Sequence, residues 1–161
     1  MSAPRLDYTR IAPELGRQLG GLHVLLQKSA VGERLIDLLY HRVSQLNGCG
    51  FCLDMHSHAL RRHGETERRL HTLAGWREAP FFSAPERAAL AWAEALTAVG
   101  TTHAPDDLYA ELQQHFGERE IVELTFAVAA INAWNRIAIG LRSVPPQPDA
   151  TAWEEETPLA H

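Results

Sequence analysis

Apolar residues recur along this chain at intervals of three and four positions, whereas alternating, strand-like patterns are scarce. The spacing is clearest from about residue 31 to 46, where the apolar positions are Leu35, Leu38, Leu39, Val43 and Leu46. Residues at i, i+3 and i+4 share one face of an α-helix, so this segment is predicted to be an amphipathic helix. The Asn47-Gly48 pair that follows is a typical helix stop. The pattern as a whole predicts an all-α protein.

The same spacing predicts helices on both sides of this segment. Two of them cover about residues 49–63 and 65–73, and a long apolar helix covers about 118–141. The first helix of the chain is predicted over about residues 10–28, with an interruption near Gly20-Gly21. Its apolar stripe consists of Leu15, Leu19, Leu22, Leu25 and Leu26.

Two further helices have recognisable N-termini. Glu86 follows Ser83 at the spacing of a capping box, and this pair starts a helix that runs toward residue 100. Pro105 suits the first position of a helix that ends near residue 117. Asp106 and Asp107 in its first turn complement the helix dipole.

The chain has the length of one domain. Its 161 residues suffice to bury a single core, and residues 1–143 are predicted to form one helical domain with the core motif at 31–63. From residue 144 the composition becomes rich in proline and acidic residues, so residues 144–161 are predicted to be a tail without regular helix. Trp153 favours an arm that lies on another surface over a disordered tail.

Composition narrows the class of protein. Hydrophobic residues make up 45% of the chain and charged residues 22%, which is typical of a globular protein. The 15 basic and 20 acidic residues give a formal charge of -5, so no nucleic-acid partner is expected. No apolar run approaches the roughly 18 residues that span a bilayer, and the N-terminus lacks the apolar stretch of a signal peptide. We therefore expect a cytoplasmic protein without a membrane partner.

The two cysteines of the chain lie close together. Cys49 and Cys52 are three positions apart at the start of a predicted helix, and His56 follows one turn later. Residues at i, i+3 and i+7 lie on one helical face. A helix N-terminus and a neighbouring histidine both favour a thiolate, and two sulfurs one turn apart can form a disulfide.

These residue types in this order are typical of a thiol redox cycle. One thiolate attacks an oxidant such as a hydroperoxide and becomes a sulfenic acid, and the second thiol converts it to a disulfide. An external dithiol or protein reductant then restores the thiols, so the cycle requires no metal and no organic cofactor. Cys52 is predicted to be the attacking sulfur because it is nearer to His56, and Cys49 the resolving one.

Other interpretations of the cysteine pair stay open at this point. Cys49, Cys52 and His56 are zinc ligands by type, with the fourth ligand supplied through tertiary packing by His41, His63 or Asp37. The pair could also be two small buried side chains, or a non-enzymatic redox sensor whose oxidation changes its assembly. A thioredoxin-like domain is disfavoured because its Cys-x-x-Cys motif requires flanking strands.

The segment around the cysteines resembles a known family. Residues 44–58, Ser-Gln-Leu-Asn-Gly-Cys-Gly-Phe-Cys-Leu-Asp-Met-His-Ser-His, are similar to the core motif of the alkyl hydroperoxidase D-like group within the carboxymuconolactone decarboxylase family. Residues 64–70, 74–78, 86–92 and 131–136 are similar to the same group, so the resemblance covers roughly residues 30–145. The Cys-x2-Cys-x3-His motif with its Asn-Gly lead-in is the specific part.

This resemblance implies an all-helical homo-oligomer, a trimer or hexamer, with peroxidase activity. It implies that Cys52 is the peroxidatic cysteine, that Cys49 is the resolving one, and that His56 belongs to a proton relay. The relay carboxylate is a glutamate in the family, and Asp37 stands at that position with a side chain one methylene shorter. Members that perform decarboxylation generally lack the cysteine pair, which argues against that reaction here.

Several other residues receive secondary roles. Tyr40 and His41, one turn beyond Asp37, either supplement the relay or serve packing. One polar group is predicted to set helix packing or the oligomer interface, or to line the substrate approach: Asn132, Trp134, Asn135 and Arg136. A second group is predicted to form a solvated basic face, with docking of a reductase as the alternative: Arg61, Arg62, Arg68 and Arg69.

Overall fold

The computed structural model describes residues 3–146, and these form nine α-helices and one turn of 3-10 helix, with no strand. The predicted all-α class is therefore confirmed. Residues 147–161, most of the predicted tail including Trp153, lie outside the described residues. The helices are α1 (Tyr8–Ile11), α2 (Pro13–Gln27), α3 (Glu33–Asn47), α4 (Gly50–Arg62), α5 (Glu67–Thr72), α6 (Ala84–Thr97), α7 (Val99–Thr102), α8 (Asp106–Gln113) and α9 (Glu118–Leu141), with the 3-10 turn at Leu73–Gly75.

The long helix α9 lies at the centre of the bundle and packs against α2, α3, α4, α6 and α8. Its side chains Leu124, Val128 and Ile131 are almost completely buried. By length and composition, α9 is the one helix within residues 3–146 that could cross a membrane. Its contacts with five neighbouring helices are those of the core helix in a soluble helical domain.

The helical hairpin of α3 and α4 positions the cysteines. Helix α3 is buried along its middle, from Ile36 to Ser44, because α4, α6 and α9 pack around it. It ends at Gly48, whose φ of 70° lies in the left-handed region that glycine adopts at little cost. The chain then turns directly into α4, with Cys49 as the N-cap residue. The predicted helix stop at Asn47-Gly48 agrees with this turn.

Helix α2 differs from its prediction. It runs without interruption through Gly20-Gly21. Two members of the predicted apolar stripe face outward, because Leu15 is 69% exposed and Leu25 70% exposed. The buried face of α2 instead contains Gly16, Gly20, His23 and Leu26. The predicted stripe was wrong for Leu15 and Leu25, whereas Leu26 is buried and Leu22 packs against the core. The glycine side of this helix packs closely instead, since a Cβ on Gly16 would lie 3.1 Å from the Tyr8 ring.

The predicted capping box is present at α6. Ser83 Oγ accepts from the backbone N–H of Glu86 at 3.4 Å, and Glu86 Oε2 accepts from that of Ser83 at 2.8 Å. Pro105 is the N-cap of α8 rather than its first helical residue, since its ψ of 146° is extended. Helix α8 also ends at Gln113, earlier than expected, and Phe116 turns back to pack on the core.

Candidate active site

Cys49 and Cys52 lie side by side at the N-terminus of α4. Their Sγ atoms are 2.8 Å apart, and Cys49 Sγ accepts a hydrogen bond from the backbone N–H of Cys52 at 3.4 Å. Both residues are buried, with Cys49 1% and Cys52 2% exposed. Because an N-cap side chain receives the free N–H groups of the first turn, Cys49 occupies the position where this helix best stabilises a negative charge.

The electrostatics place the charge of the reduced pair on Cys49. The hydrogen bond from Cys52 lowers the pKa of Cys49 to about 7, with backbone N–H groups contributing in the same direction. The pKa of Cys52 is raised, because Cys52 is the hydrogen-bond partner of Cys49 and because the site is buried. A single negative charge on the reduced pair is therefore favoured on Cys49 rather than on Cys52. The sequence predicts that Cys52 attacks the hydroperoxide and that Cys49 resolves the sulfenic acid. This order of roles stays a prediction.

His56 lies on α4 one turn after Cys52, and its hydrogen bond goes to Asp37 on α3. The Nδ1 of His56 is 3.1 Å from Asp37 Oδ1, and both side chains are 4% exposed. The rings of Tyr40 and His56 pack edge to face, with their centroids 5.0 Å apart. A carboxylate next to Nδ1 favours the tautomer with the proton on that nitrogen and stabilises the charged imidazolium. The structure thus brings together the predicted relay pair.

The two residues predicted to supplement the relay are both buried. Tyr40 packs between the rings of His56 and His23, and burial raises the pKa of its hydroxyl. Burial, helped by the nearby His56, lowers the pKa of His41 to about 4. His41 is therefore neutral at physiological pH, and Tyr40 forms part of the packing that holds the His56 ring.

A polar network that the sequence did not reveal supports the thiols from α9. Asn135 is completely buried, accepts from Asn47 Nδ2 at 2.8 Å and donates to Ser44 Oγ at 3.0 Å. Hydrogen bonds from Asn135 lower the pKa of both cysteines, and one from Ser44 lowers that of Cys52. The sequence predicts helix packing, the oligomer interface or the substrate approach for Asn135, and not contact with the thiols. The sequence feature that could have indicated this role is an asparagine at a buried position of α9, whose other buried residues are apolar.

An open cavity of about 550 Å³ lies beside Asn47. Its wall is formed by α3, α6, α7 and α8 and includes Leu46, Glu94, Thr97 and Leu108. Asn47 connects this cavity to Asn135, and through Asn135 to the cysteines.

The predicted zinc set is not assembled. Within residues 3–146, the one group of three metal-binding side chains that converge is Glu33, Asp37 and His63. Cys49, Cys52 and His56 do not form such a group, because His56 points to Asp37 rather than toward the sulfurs.

The arginines predicted to form a solvated basic face have different environments. Arg69 is 14% exposed and pairs with Glu65 and Glu86 inside a network. Arg61 pairs with Glu67, and Arg68 lies over the Phe81 ring at 4.0 Å from its centroid. The prediction was wrong for Arg69, because the segment leading into α6 folds over it.

Comparison with known proteins places this geometry in a family. Residues 13–95 match the model of the carboxymuconolactone decarboxylase family. The chain belongs to this family. The matched region contains all four predicted site residues, from Asp37 to His56.

Relatives and solved structures agree with this membership. The uncharacterized protein YdfG of Bacillus subtilis is 38% identical over 137 residues, which cover 85% of this chain and 93% of YdfG. A solved structure from Agrobacterium tumefaciens, described as a protein of unknown function and putative antioxidant defence protein AhpD, superposes with a TM-score of 0.87. It is 41% identical and covers 90% of this chain and 99% of its own. The chain is therefore an AhpD-like, all-α member of the family, as predicted.

More distant structures share the fold. An alkylhydroperoxidase AhpD core protein of Ralstonia eutropha, described as peroxidase-related, has a TM-score of 0.76 at 18% identity, covering 86% of this chain and 74% of its own. The debrominase Bmp8 has a TM-score of 0.71 at 21% identity, covering 83% of this chain and 72% of its own. The fold therefore carries more than one chemistry, and the function of this chain must be argued from its site.

Proposed function

We propose that this protein is a thiol-dependent peroxidase that reduces hydroperoxides through Cys49 and Cys52, with His56 and Asp37 as a proton relay. The observation that carries the proposal is the 2.8 Å contact between two buried sulfurs at the N-terminus of α4. A pKa of about 7 leaves about half of Cys49 as thiolate at neutral pH, and Cys52, the proposed attacking sulfur, is already in contact with it. The putative antioxidant role of the Agrobacterium relative supports the same chemistry.

The reaction begins with transfer of the Cys52 proton to the Cys49 thiolate across the Sγ–Sγ contact. The Cys52 thiolate then attacks an oxygen of the hydroperoxide. The O–O bond breaks, a sulfenic acid forms on Cys52, and an alkoxide leaves. Cys49 next attacks Cys52 Sγ, so that the S–S bond forms, the S–O bond breaks, and water leaves with the Cys49 proton. An external dithiol reduces the disulfide and returns both thiols.

His56 and Asp37 supply the remaining proton. The alkoxide must be protonated as it leaves, and we assign this role to His56, which lies one turn after Cys52 on α4. Asp37 Oδ1, 3.1 Å from His56 Nδ1, stabilises that imidazolium and orients the ring. Asp37 and His56 meet directly, so the shorter side chain of aspartate still reaches its partner.

We further propose that the protein is cytoplasmic and forms a trimer or hexamer. Several large apolar side chains are exposed on the single chain, including Ile11 (66%), Leu15 (69%), Leu25 (70%) and Phe126 (53%). Surfaces of this kind are typical of protein interfaces. Light scattering of the purified protein tests the assembly, and a monomer at micromolar concentration would contradict it.

Steady-state turnover tests the peroxidase proposal. The purified protein is expected to consume many equivalents of an organic hydroperoxide with dithiothreitol as the electron donor. The Cys52→Ser variant is expected to consume none above background. Consumption of a single equivalent, with no turnover by any dithiol or protein donor, would favour a non-enzymatic redox sensor instead.

A further inference from the structure

Glu33, Asp37 and His63 converge at the end of the α3–α4 hairpin, next to the relay. Glu33 and Asp37 are one turn apart on α3, and His63 is the C-cap residue of α4. His63 Nε2 lies 3.2 Å from Asp37 Oδ2 and 3.7 Å from Glu33 Oε1. One ligand atom from each of the three residues lies within 4.8 Å of the others.

His56 and His63 are the basic side chains that contact the two carboxylates of this cluster within residues 3–146. No lysine or arginine among residues 3–146 forms an ion pair with Glu33 or Asp37, although most other acids near α3 have one. Asp37 is 3% exposed, so little solvent reaches its carboxylate. Glu33 Oε1 accepts a hydrogen bond from Gln27 Nε2 at 3.0 Å, but when the two neighbouring histidines are neutral no positive charge lies between the two carboxylates. A cation at this point would supply it.

The spacing fits a small transition-metal ion. Zinc bound tetrahedrally at 2.0–2.2 Å separates neighbouring ligand atoms by about 3.4 Å. The distances of 3.2 and 3.7 Å from His63 Nε2 bracket this value. Glu33 is 44% exposed and can adjust its side chain toward Asp37. The imidazole ligand and the small number of oxygens favour zinc over calcium or magnesium.

We propose that Glu33, Asp37 and His63 bind a zinc-type divalent cation, with water in the fourth position. The site is distinct from the cysteine pair, because its ligands come from the opposite end of the hairpin helices. Asp37 would join the two sites, with Oδ2 on the metal and Oδ1 on His56 Nδ1.

The shared Asp37 carboxylate couples metal binding to the relay. This effect on the relay rests on the proposed function, whereas the metal binding itself does not. A metal on Oδ2 would change how the Asp37 carboxylate holds the His56 ring through Oδ1. Metal-loaded protein is therefore expected to react more slowly with hydroperoxide than metal-free protein. The cluster would let metal availability regulate the relay.

Isothermal titration with zinc chloride tests the binding. The full chain without a histidine tag is used with both cysteines replaced, Cys49→Ser and Cys52→Ser, so that the thiols contribute no ligand. We expect one equivalent to bind, and His63→Ala to weaken the affinity at least about tenfold, as does Glu33→Gln. His71→Ala is the matched control, because His71 pairs with one carboxylate, Glu67 at 3.6 Å, and not with two. This variant is expected to bind zinc like its parent.

The absence of saturable zinc binding, or equal affinity of the His63→Ala variant and its parent, would overturn the metal site. Circular dichroism of each variant confirms that it has folded. Because this protein lacks both thiols, the result is independent of any peroxidase activity. Single-turnover oxidation of the wild-type thiols with and without zinc then tests the regulatory effect. Slowing in wild type but not in His63→Ala is expected, and equal slowing in both would assign the effect to zinc on the thiols.

Discussion

His56 Nδ1 lies 3.1 Å from Asp37 Oδ1 in a part of the core where both side chains are 4% exposed. Two titratable groups are rarely buried together unless each satisfies the other. The pair connects α3 to α4, and we interpret it as the proton source of the reaction.

Replacement of Asp37 by asparagine should show whether the reaction depends on the negative charge of Asp37 rather than on the shape of its side chain. Asp37→Asn keeps the size of the side chain but removes the negative charge that stabilises imidazolium. We expect the rate of thiol oxidation by hydroperoxide to fall about 100-fold. Asp37→Glu keeps a carboxylate and is expected to react faster than Asp37→Asn. Stopped-flow measurement of both variants checks this, and equal rates for wild type and Asp37→Asn would exclude a role in proton transfer.

Trapping of sulfenic acid should identify the attacking sulfur. In Cys49→Ser no resolving thiol is present, so a sulfenic acid should persist on Cys52 and react with dimedone. In Cys52→Ser no dimedone adduct is expected after the same hydroperoxide treatment. Mass spectrometry of the labelled peptides reads both outcomes. An adduct on Cys49 in Cys52→Ser, with none in Cys49→Ser, would reverse the two roles and agree with attack by the resting thiolate.

The pH dependence of thiol alkylation should report the pKa of Cys49. Alkylation by iodoacetamide follows the thiolate fraction, so its rate in the reduced protein should be half-maximal near pH 7. Asn135→Leu removes a hydrogen bond that stabilises the thiolate, which should raise the midpoint to about 8 and slow alkylation at neutral pH. Urea unfolding of the variant separates this effect from a loss of structure. An unchanged midpoint in a folded variant would show that Asn135 only packs.

His41 should make the protein less stable in mild acid. Burial lowers its pKa from 6.5 to about 4 in the folded state, so between these values the unfolded chain binds the additional proton. The free energy of unfolding should then fall as pH falls from 6.5 toward 4, by about 1.4 kcal/mol per pH unit from this group. His41→Gln should show a shallower decline than wild type in urea unfolding at pH 7, 6 and 5. Parallel declines would mean that His41 is not buried as a neutral group.

Local sequence signals predicted the parts of the fold that local energetics determine. Gly48 ends α3 because it tolerates a positive φ, and Cys49 follows as the N-cap, so the sulfurs meet through contacts within four residues. Asp37 could be assigned through the family resemblance, and the hairpin turn brings it to His56.

Tertiary packing decided what the sequence did not predict. Asn135 reaches Ser44 across 91 positions of the chain, and no periodicity within α9 distinguishes an asparagine that supports a thiolate from one that packs. The stripe on α2 was misassigned at Leu15 and Leu25 because large apolar residues were expected inside, whereas the buried face contains Gly16, against which the Tyr8 ring packs. In both cases the neighbouring helix determines the role of the residue.

The thiol content of the reduced protein after one equivalent of organic hydroperoxide is the most direct test of the central claim. We predict that both thiols disappear together and that intact mass and peptide mapping show one intramolecular disulfide between Cys49 and Cys52, reversible by dithiothreitol. Retention of both thiols in the presence of excess hydroperoxide, or a disulfide that forms only between chains, would contradict it.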